Sequence, residues 1–282
     1  MKKTIIMLLL WVGIGHCASA QPYSKYLKEH PGVQTYTFRV EFGKDIAHAL
    51  DIIKSMGFTN IEGGNVKGKT ATEYRAMLDE RGIKCTSFGA GYEQINTNTD
   101  EIIKNAKIMG AEFIMVAWIP HKGAFDLATA QKAVEDFNSA GKKFKDAGLT
   151  LCYHNHGYEF EPYQNGTLFD YIVQKTNPDY VSFEIDILWA HFPGQNPAEL
   201  INKYPKRFKL MHIKDLKKGV VGNMSGGTPI ENDVVVGTGQ IDMLAVMKAA
   251  KKSAIKYFYI EDESPQPEVQ VPQSLVYLKN LK

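Results

Sequence analysis

Short apolar segments and longer amphipathic segments alternate along almost the whole chain. The short segments are rich in β-branched and aromatic residues and lie next to polar turns, which is typical of strands. Eight of them begin near Val33, Thr59, Ile83, Glu112, Leu149, Val181, Phe208 and Lys256. Strands that alternate with helices in this way predict a parallel sheet.

The segments between these strands repeat their apolar positions about every 3.6 residues, as amphipathic helices do. They predict helices at Asp45–Met56, Thr70–Arg81, Thr99–Met109, Leu127–Ala147, Leu168–Lys175, Pro197–Tyr204, Met243–Lys252 and Gln270–Leu281. Four of these helices are followed at once by a glycine, at Gly57, Gly82, Gly110 and Gly148. Glycine readily adopts the left-handed conformation that closes a helix, so each of these residues predicts a turn into the next strand.

Eight strand–helix repeats fit one closed barrel better than an open, doubly wound sheet, because a (β/α)₈ barrel needs about 250 residues. The chain has 282 residues, and no linker or change of composition divides it. We therefore expect a single (β/α)₈ TIM barrel over residues 21–282. The longest irregular segment, Lys217–Gln240, follows the seventh strand, and a loop of that length is usually functional or mobile.

The first twenty residues have the features of a cleavable secretory signal. Two lysines precede the apolar run Ile5–Gly15, and the small residues Ala18-Ser19-Ala20 follow it. The run is too short to cross a bilayer as a helix, so we expect no membrane span. We predict cleavage after Ala20 and export, most simply to a periplasm, with lipidation at Cys17 as the less favoured alternative.

The charge balance excludes some classes of partner, and the positions of the cysteines indicate whether a disulfide forms. The formal net charge is +2, and the two lysines of the predicted signal account for all of it. A balanced chain offers no electrostatic surface for nucleic acid or an anionic membrane. Export permits a disulfide between Cys85 and Cys152, but both lie in apolar strand-like segments, which favours buried free thiols.

Chemically active side chains lie where the predicted strands end. In this type of barrel, the active site is at the carboxyl ends of the strands. Five of the eight strands end there in an acid or an imidazole, namely Glu62, His154-Asn155-His156, Asp186, His212 and Glu261. Carboxylates and imidazoles suit a divalent cation such as Mn²⁺, Mg²⁺, Co²⁺ or Zn²⁺. The pattern therefore predicts a metal site, although each residue alone also fits a helix cap, a core histidine or a solvated acid.

The chain resembles the xylose-isomerase-like barrels, which are usually described as sugar phosphate isomerases or epimerases. The matching segments are VQTYTFR, GFTNIEGG, YHNHGYEF, FEIDILWA, LMHIKDL, VVVGTGQID and YFYIEDES. The resemblance implies one divalent metal ion held on strands five to eight and chemistry on a hydroxyl-ketone or related sugar. Asp186, His212 and Glu261 match the family's ligands from strands six, seven and eight.

Strand five departs from the family's pattern. The family commonly has a glutamate ligand there, which also acts as an acid or base, whereas this chain has His154. We predict Glu159, five residues later, as the fourth ligand, with His154 as the alternative. His154, Glu159, Glu261 and Lys214 are the predicted catalytic residues. An imidazole can still move a proton near neutral pH.

Other side chains are candidates for the walls of a sugar pocket, where aromatic faces can stack on a sugar ring. They are Tyr36, Glu62, Trp118, His156, Trp189 and His191, with Gln34 and Arg39 as weaker candidates. Plain core packing is the alternative for the two tryptophans, and hydrogen bonding to backbone is the alternative for Glu62.

The predicted function is a metal-dependent isomerase or epimerase that acts on a sugar or keto-sugar through an enediolate. A lyase or dehydratase on a keto-sugar, keto-glycoside or keto-cyclitol is the alternative within enzymes, and a non-catalytic carbohydrate-binding barrel is the alternative outside them. Export and the lack of an arginine cluster predict a small carbohydrate without a phosphate group as the partner.

Overall fold

Eight parallel strands form a closed barrel in the computed structural model, which describes residues 22–27 and 29–282. The strands are β1 (Gly32–Gln34), β2 (Asn60–Gly63), β3 (Lys84–Gly89), β4 (Phe113–Val116), β5 (Thr150–His154), β6 (Val181–Asp186), β7 (Phe208–Ile213) and β8 (Tyr257–Ile260). Each pairs with the next, and β8 pairs with β1 through Gly32 and Val33. The predicted single TIM barrel is confirmed.

Helices occupy the connections between the strands. They are α1 (Arg39–Lys44), α2 (Ile46–Ser55), α3 (Ala71–Asp79), α4 (Gln94–Thr97), α5 (Thr99–Met109), α6 (Leu127–Asp146), α7 (Leu168–Lys175), α8 (Ile187–His191), α9 (Pro197–Lys203), α10 (Met243–Lys251) and α11 (Pro267–Asn280). The glycines predicted to end four of them all have positive φ angles, between 64° and 87°. The helix boundaries therefore follow the rule that was used to predict them.

The short helices α1, α4 and α8 were not predicted. Each spans four to six residues, which is too short for a 3.6-residue period to be recognised. A 3₁₀ helix at Thr35–Phe38 and a small hairpin of Pro162–Tyr163 and Gly166–Thr167 were missed for the same reason. Most of these pieces lie just beyond the carboxyl ends of strands, where they shape the mouth of the barrel.

Two apolar layers stabilise the barrel. The larger one lies between the strands and the surrounding helices. The smaller one lies inside the barrel and is formed by Phe113, Cys152, Leu210 and Tyr259. Gly32 makes room for it, because a Cβ atom there would lie only 2.7 Å from the Tyr259 ring. This inner layer excludes water from the interior below the carboxyl ends of the strands.

The segment from Lys217 to Gln240 connects β7 with α10 and crosses the mouth of the barrel. Its tip reaches the far side, where Gly226 has a φ of 68° and a Cβ atom would lie 3.0 Å from the Tyr158 ring. Only a glycine fits this conformation and this approach without strain. The long loop predicted after strand seven is therefore present and lies over the candidate site.

The two described cysteines are not joined by a disulfide. Cys85 and Cys152 are buried free thiols, which confirms the favoured prediction. The predicted signal, residues 1–20, lies outside the described residues. Within the part of the chain that the structure describes, no helix combines the length and apolar character needed to cross a bilayer.

Candidate metal centre and active site

Titratable side chains from five strands meet inside the carboxyl end of the barrel. We call this group the central cluster, and it consists of Glu62, His154, Glu184, Asp186, His212 and Glu261. All six are buried. Alternate residues of a strand face the same side, so β6 contributes both Glu184 and Asp186 to the cluster.

Four of these residues turn potential ligand atoms toward one another. Nδ1 of His212 lies 3.1 Å from Oε2 of Glu261 and 3.7 Å from Oδ2 of Asp186. Nε2 of His154 lies 3.8 Å from the same Asp186 oxygen. The ligand atoms of Asp186, His212 and Glu261 all lie within 4.8 Å of one another. These separations suit donors that share one cation.

The unmet hydrogen-bonding capacity of the cluster also fits a divalent cation. Oδ2 of Asp186 and Oε1 of Glu184 are buried and have no hydrogen-bond partner among the described residues. A buried carboxylate oxygen without a partner is costly, and a bound cation removes that cost. Carboxylate and imidazole donors are the groups that such cations prefer.

Strong interactions between charges shift the protonation of the cluster. Burial alone would lower the pKa of His212, but attraction from Glu184, Glu261 and Glu62 raises it well above its usual value. Burial would raise the pKa of Glu261, yet Lys214 and His212 hold it well below its usual range. Burial lowers the pKa of His154, helped by repulsion from His212, so its imidazole is neutral and its contact with Glu184 is a hydrogen bond rather than an ion pair.

Lys214 lies beside the central cluster. It is buried, its Nζ is 3.1 Å from Oε2 of Glu261, and it also pairs with Glu263 and with Asp233 at 3.7 Å. The same ammonium group lies 5.6 Å from the centre of the Trp189 ring. Lys214 thus neutralises part of the negative charge and holds Glu261 in place.

A cavity of about 700 Å³ opens from the cluster to the surface. His154, His156, His212 and Glu261 line it at the cluster, and Gly226–Thr228 of the long loop line it from above. Its size falls in the range typical of cavities that bind small molecules. The site therefore combines a candidate metal centre with room for a substrate.

Most residues predicted for the pocket walls line this cavity, but two do not. The lining includes Gln34, Tyr36, Arg39, Trp118, His156 and Trp189. Glu62 is fully buried behind His212 and accepts hydrogen bonds from Gln34 and Ser87. His191 lies at the end of α8 and does not reach the cavity wall. Glu62 and His191 therefore do not occupy the substrate-binding positions that the sequence predicted.

Glu159 is the main correction to the predicted ligand set. Its carboxylate accepts a hydrogen bond from the hydroxyl of Tyr153 at 2.6 Å and others from the backbone N–H of His156 at 3.0 and 3.2 Å. Tyr153 points out of the barrel toward Phe137 of α6. Glu159 therefore lies behind β5, apart from the central cluster, while the alternative at this strand, His154, lies within it.

Glu184 is the cluster residue that the sequence interpretation missed. Its register with His154 across β5 and β6 places the two side chains side by side. Its position two residues before Asp186 was the available signal, because both residues must face the same side of one strand.

Comparison with known proteins agrees with this fold. Residues 50–281 match the family described as xylose isomerase-like TIM barrel. An inosose dehydratase from Lacticaseibacillus casei is 24% identical over 256 residues, which cover 80% of this chain and 85% of that protein. Relatives therefore include the dehydratase class named above as an alternative.

Two solved structures are also similar. A sugar phosphate isomerase/epimerase from Parabacteroides distasonis is 26% identical, with a TM-score of 0.71 and coverage of 89% of this chain and 96% of that one. The IolI protein with a bound zinc atom shares the fold, with 14% identity, a TM-score of 0.69 and coverage of 89% and 95%. The chain therefore belongs to the xylose isomerase-like TIM barrel family.

Proposed function

We propose that this chain is a divalent-metal-dependent enzyme that removes a proton from the carbon next to the carbonyl of a keto-sugar or keto-cyclitol. The observation that carries this proposal is the central cluster itself. Its carboxylates and imidazoles converge, two of its buried oxygens lack a partner, and it opens into a cavity of substrate size.

His154, Asp186, His212 and Glu261 would hold the cation. When bound, a divalent cation supplies Lewis-acid polarisation of a substrate carbonyl, which acidifies the neighbouring C–H group. Lys214 keeps Glu261 ionised and oriented through its ion pair. Trp189 covers this pair and contributes to the cavity wall.

The groups available for proton transfer differ between the two sides of the cavity. Glu261 lies at the end of β8, whereas His156 follows β5, and β6 and β7 separate these strands. Burial lowers the pKa of His156 to about 4, so its imidazole is neutral and can accept a proton at neutral pH. One side thus offers a carboxylate beside an ammonium group, and the other offers an imidazole.

This asymmetry favours elimination as the second half of the reaction. His156 takes the proton at carbon, and the imidazolium that forms gives this proton to the departing oxygen, so that a water molecule or an alcohol leaves. Glu261, whose pKa is low, has no proton to return to the opposite face of the carbon, as epimerisation would require. The similarity to inosose dehydratases supports this outcome. Isomerisation or epimerisation shares the first step and is the second candidate, which the isomerase/epimerase from P. distasonis supports.

The substrate we propose carries no phosphate group. Arg39 lines the cavity, but its guanidinium already donates to the backbone carbonyls of Tyr36 and Glu263. Lys67 is the other lysine or arginine among the lining residues. A phosphate site normally needs several converging donors, so an uncharged sugar fits this wall better.

The reaction can be tested in D₂O with a panel of unphosphorylated keto-sugars and keto-cyclitols. We expect an unsaturated carbonyl product with ultraviolet absorbance, and solvent deuterium at the carbon next to the carbonyl in the recovered substrate. Deuterium in a rearranged sugar without that product would assign the isomerase outcome. Neither deuterium exchange nor an unsaturated product from any compound with the metal-loaded protein would contradict both.

We also propose that the protein is exported and cleaved after Ala20. Amino-terminal sequencing of protein from the periplasmic fraction should begin at Gln21. A lipid-modified Cys17 at the new terminus would support lipidation instead. An intact Met1 in protein confined to the cytoplasm would contradict export.

A further inference from the structure

Each imidazole of the central cluster has a buried glutamate behind it. Nε2 of His212 lies 2.7 Å from Oε1 of Glu62, and Nδ1 of His154 lies 3.1 Å from Oε2 of Glu184. Glu62 and Glu184 are both completely buried. The two pairs come from different strands and are built alike.

These contacts determine which nitrogen of each ring can bind a cation. Each hydrogen bond occupies the ring nitrogen that faces the glutamate, so a cation can reach only the nitrogen on the other edge of the ring. In His154 this nitrogen is Nε2, which faces Oδ2 of Asp186 at 3.8 Å. In His212 the free nitrogen is Nδ1, which lies between Asp186 and Glu261. It would release its proton when a cation binds there.

A buried carboxylate oxygen without a partner among the described residues lies on each side of the imidazoles, Oε1 of Glu184 on one side and Oδ2 of Asp186 on the other. The ring nitrogens and the cavity therefore decide on which side the cation lies. Glu184 also lies near His212, with Oε2 at 3.3 Å from Nε2, so a cation between Glu184 and the two rings is geometrically conceivable. The ring nitrogens on that side, however, already face carboxylate acceptors. Oδ2 of Asp186, on the opposite side of the rings, has no partner and borders the cavity-lining imidazoles.

We propose that Glu184 is a positioning residue that orients His154 as a cation ligand. The resulting site has two imidazoles and two carboxylates and selects a first-row transition metal, such as Zn²⁺ or Co²⁺, over Mg²⁺. This inference rests on the cation site of the proposed function. Carboxylate groups behind metal-bound histidines commonly orient the ring, and imidazole ligands favour these metals whereas Mg²⁺ prefers oxygen ligands.

The test uses the purified full chain, stripped of metal with a chelator and titrated separately with Co²⁺, Zn²⁺ and Mg²⁺. Calorimetry measures affinity, and the visible absorption of Co²⁺ reports its coordination. The variants are E184Q, whose amide oxygen can still accept from His154, and E184L, which cannot accept. E159Q is the matched control, because Glu159 is equally buried but bonds outside the cluster.

We expect Co²⁺ affinity to fall about tenfold in E184Q and about a hundredfold in E184L, with a changed Co²⁺ spectrum in E184L. E159Q should bind Co²⁺ like the wild type, and Mg²⁺ should bind at least about a hundredfold more weakly than Zn²⁺. Circular dichroism confirms that each variant is folded, and the partial rescue by glutamine distinguishes a positioning residue from a ligand.

Three results would overturn the inference. Unchanged Co²⁺ binding in both Glu184 variants removes the positioning role, and equal losses in the two variants make Glu184 a ligand. Mg²⁺ binding as tight as Zn²⁺ binding removes the selectivity. In these cases the cation site of the proposed function still stands, whereas a wild-type chain that binds no cation contradicts both proposals.

Discussion

Asp186 contributes to the fold and to the candidate site with different oxygen atoms. Oδ1 accepts the backbone N–H of Trp189 at 2.8 Å and so caps the start of α8. Oδ2 faces His154 and His212 and has no hydrogen-bond partner. The helix cap and the ligand role, which the sequence presented as alternatives, are therefore compatible in one side chain.

Replacing Asp186 with asparagine should separate these two roles. Asparagine caps a helix about as well as aspartate, so the free energy of unfolding of the metal-free protein should change by less than about 1 kcal/mol. Loss of the charge should weaken Co²⁺ binding by at least about tenfold. Urea unfolding and calorimetry measure the two effects, and unchanged Co²⁺ affinity would show that Asp186 is not a ligand.

Glu159 should make stability depend on pH. Burial raises the pKa of its carboxyl to about 7, although hydrogen bonds from Tyr153 and the backbone oppose the rise. An unfolded glutamate titrates near about 4.3. Between these values the folded state holds a proton that the unfolded state has lost, so this group's contribution to stability falls as pH rises.

In E159Q, the free energy of unfolding should no longer show the part of its decline with rising pH that the titration of Glu159 causes. Urea unfolding of wild type and variant at about pH 5 and about pH 7.5 brackets the titration. The free energy of unfolding should drop more between these values in the wild type than in E159Q. The same drop in both proteins would show that Glu159 does not titrate in this range.

At the scale of elements, one aspartate anchors the long loop over the site. Asp215 follows β7, and its buried carboxylate accepts backbone N–H groups of Leu216, Gly237, Gly239 and Ile241 at 2.8 to 3.2 Å. Gly239 permits this approach, because a Cβ atom there would lie 2.2 Å from Oδ1 of Asp215. This end of the loop is therefore held to the barrel, while Gly226 at the tip packs over the cavity.

Removing this anchor should destabilise the loop and the protein. D215A leaves several backbone donors without their acceptor, which should lower the free energy of unfolding by about 1–3 kcal/mol. It should also speed limited proteolysis within residues 217–240. D179A, in an exposed turn, is the control and should change stability by less than about 0.5 kcal/mol. Equal stability of D215A and wild type would contradict the anchoring role.

At the scale of the whole molecule, the barrel concentrates negative charge that a cation would balance. Glu62, Glu184, Asp186 and Glu261 lie together with two imidazoles and one ammonium group. The proposed ligands come from four different strands, β5 to just beyond β8. Since the unfolded chain does not assemble them, cation binding favours the folded state.

A transition-metal cation should therefore raise the unfolding temperature of the metal-stripped protein. At a free concentration of one hundred times Kd, the expected stabilisation is about 2.7 kcal/mol. Calorimetric scans with Zn²⁺, Co²⁺ or Mg²⁺ at equal concentration measure it, and Mg²⁺ should have the smallest effect. A melting temperature that no cation changes would contradict the cation site.

Much of the fold was predictable because it depends on local rules. The strand starts, the long helices and the glycines that end them follow from periodicity and backbone conformation. Asp186, His212 and Glu261 could be named because barrels of this type place their sites at strand ends. Short elements such as α1 and α8 were missed because so few residues carry no recognisable period.

By itself the sequence determined the barrel, its order and the strand ends that carry acids and imidazoles, because these depend on neighbours along the chain. Only the tertiary structure placed Glu159 behind β5, His154 inside the cluster and Glu62 behind His212. These positions depend on which way a side chain turns after a strand ends and on which strands meet across the barrel. Contacts between residues separated by up to 150 positions decide them, and no local pattern encodes such contacts.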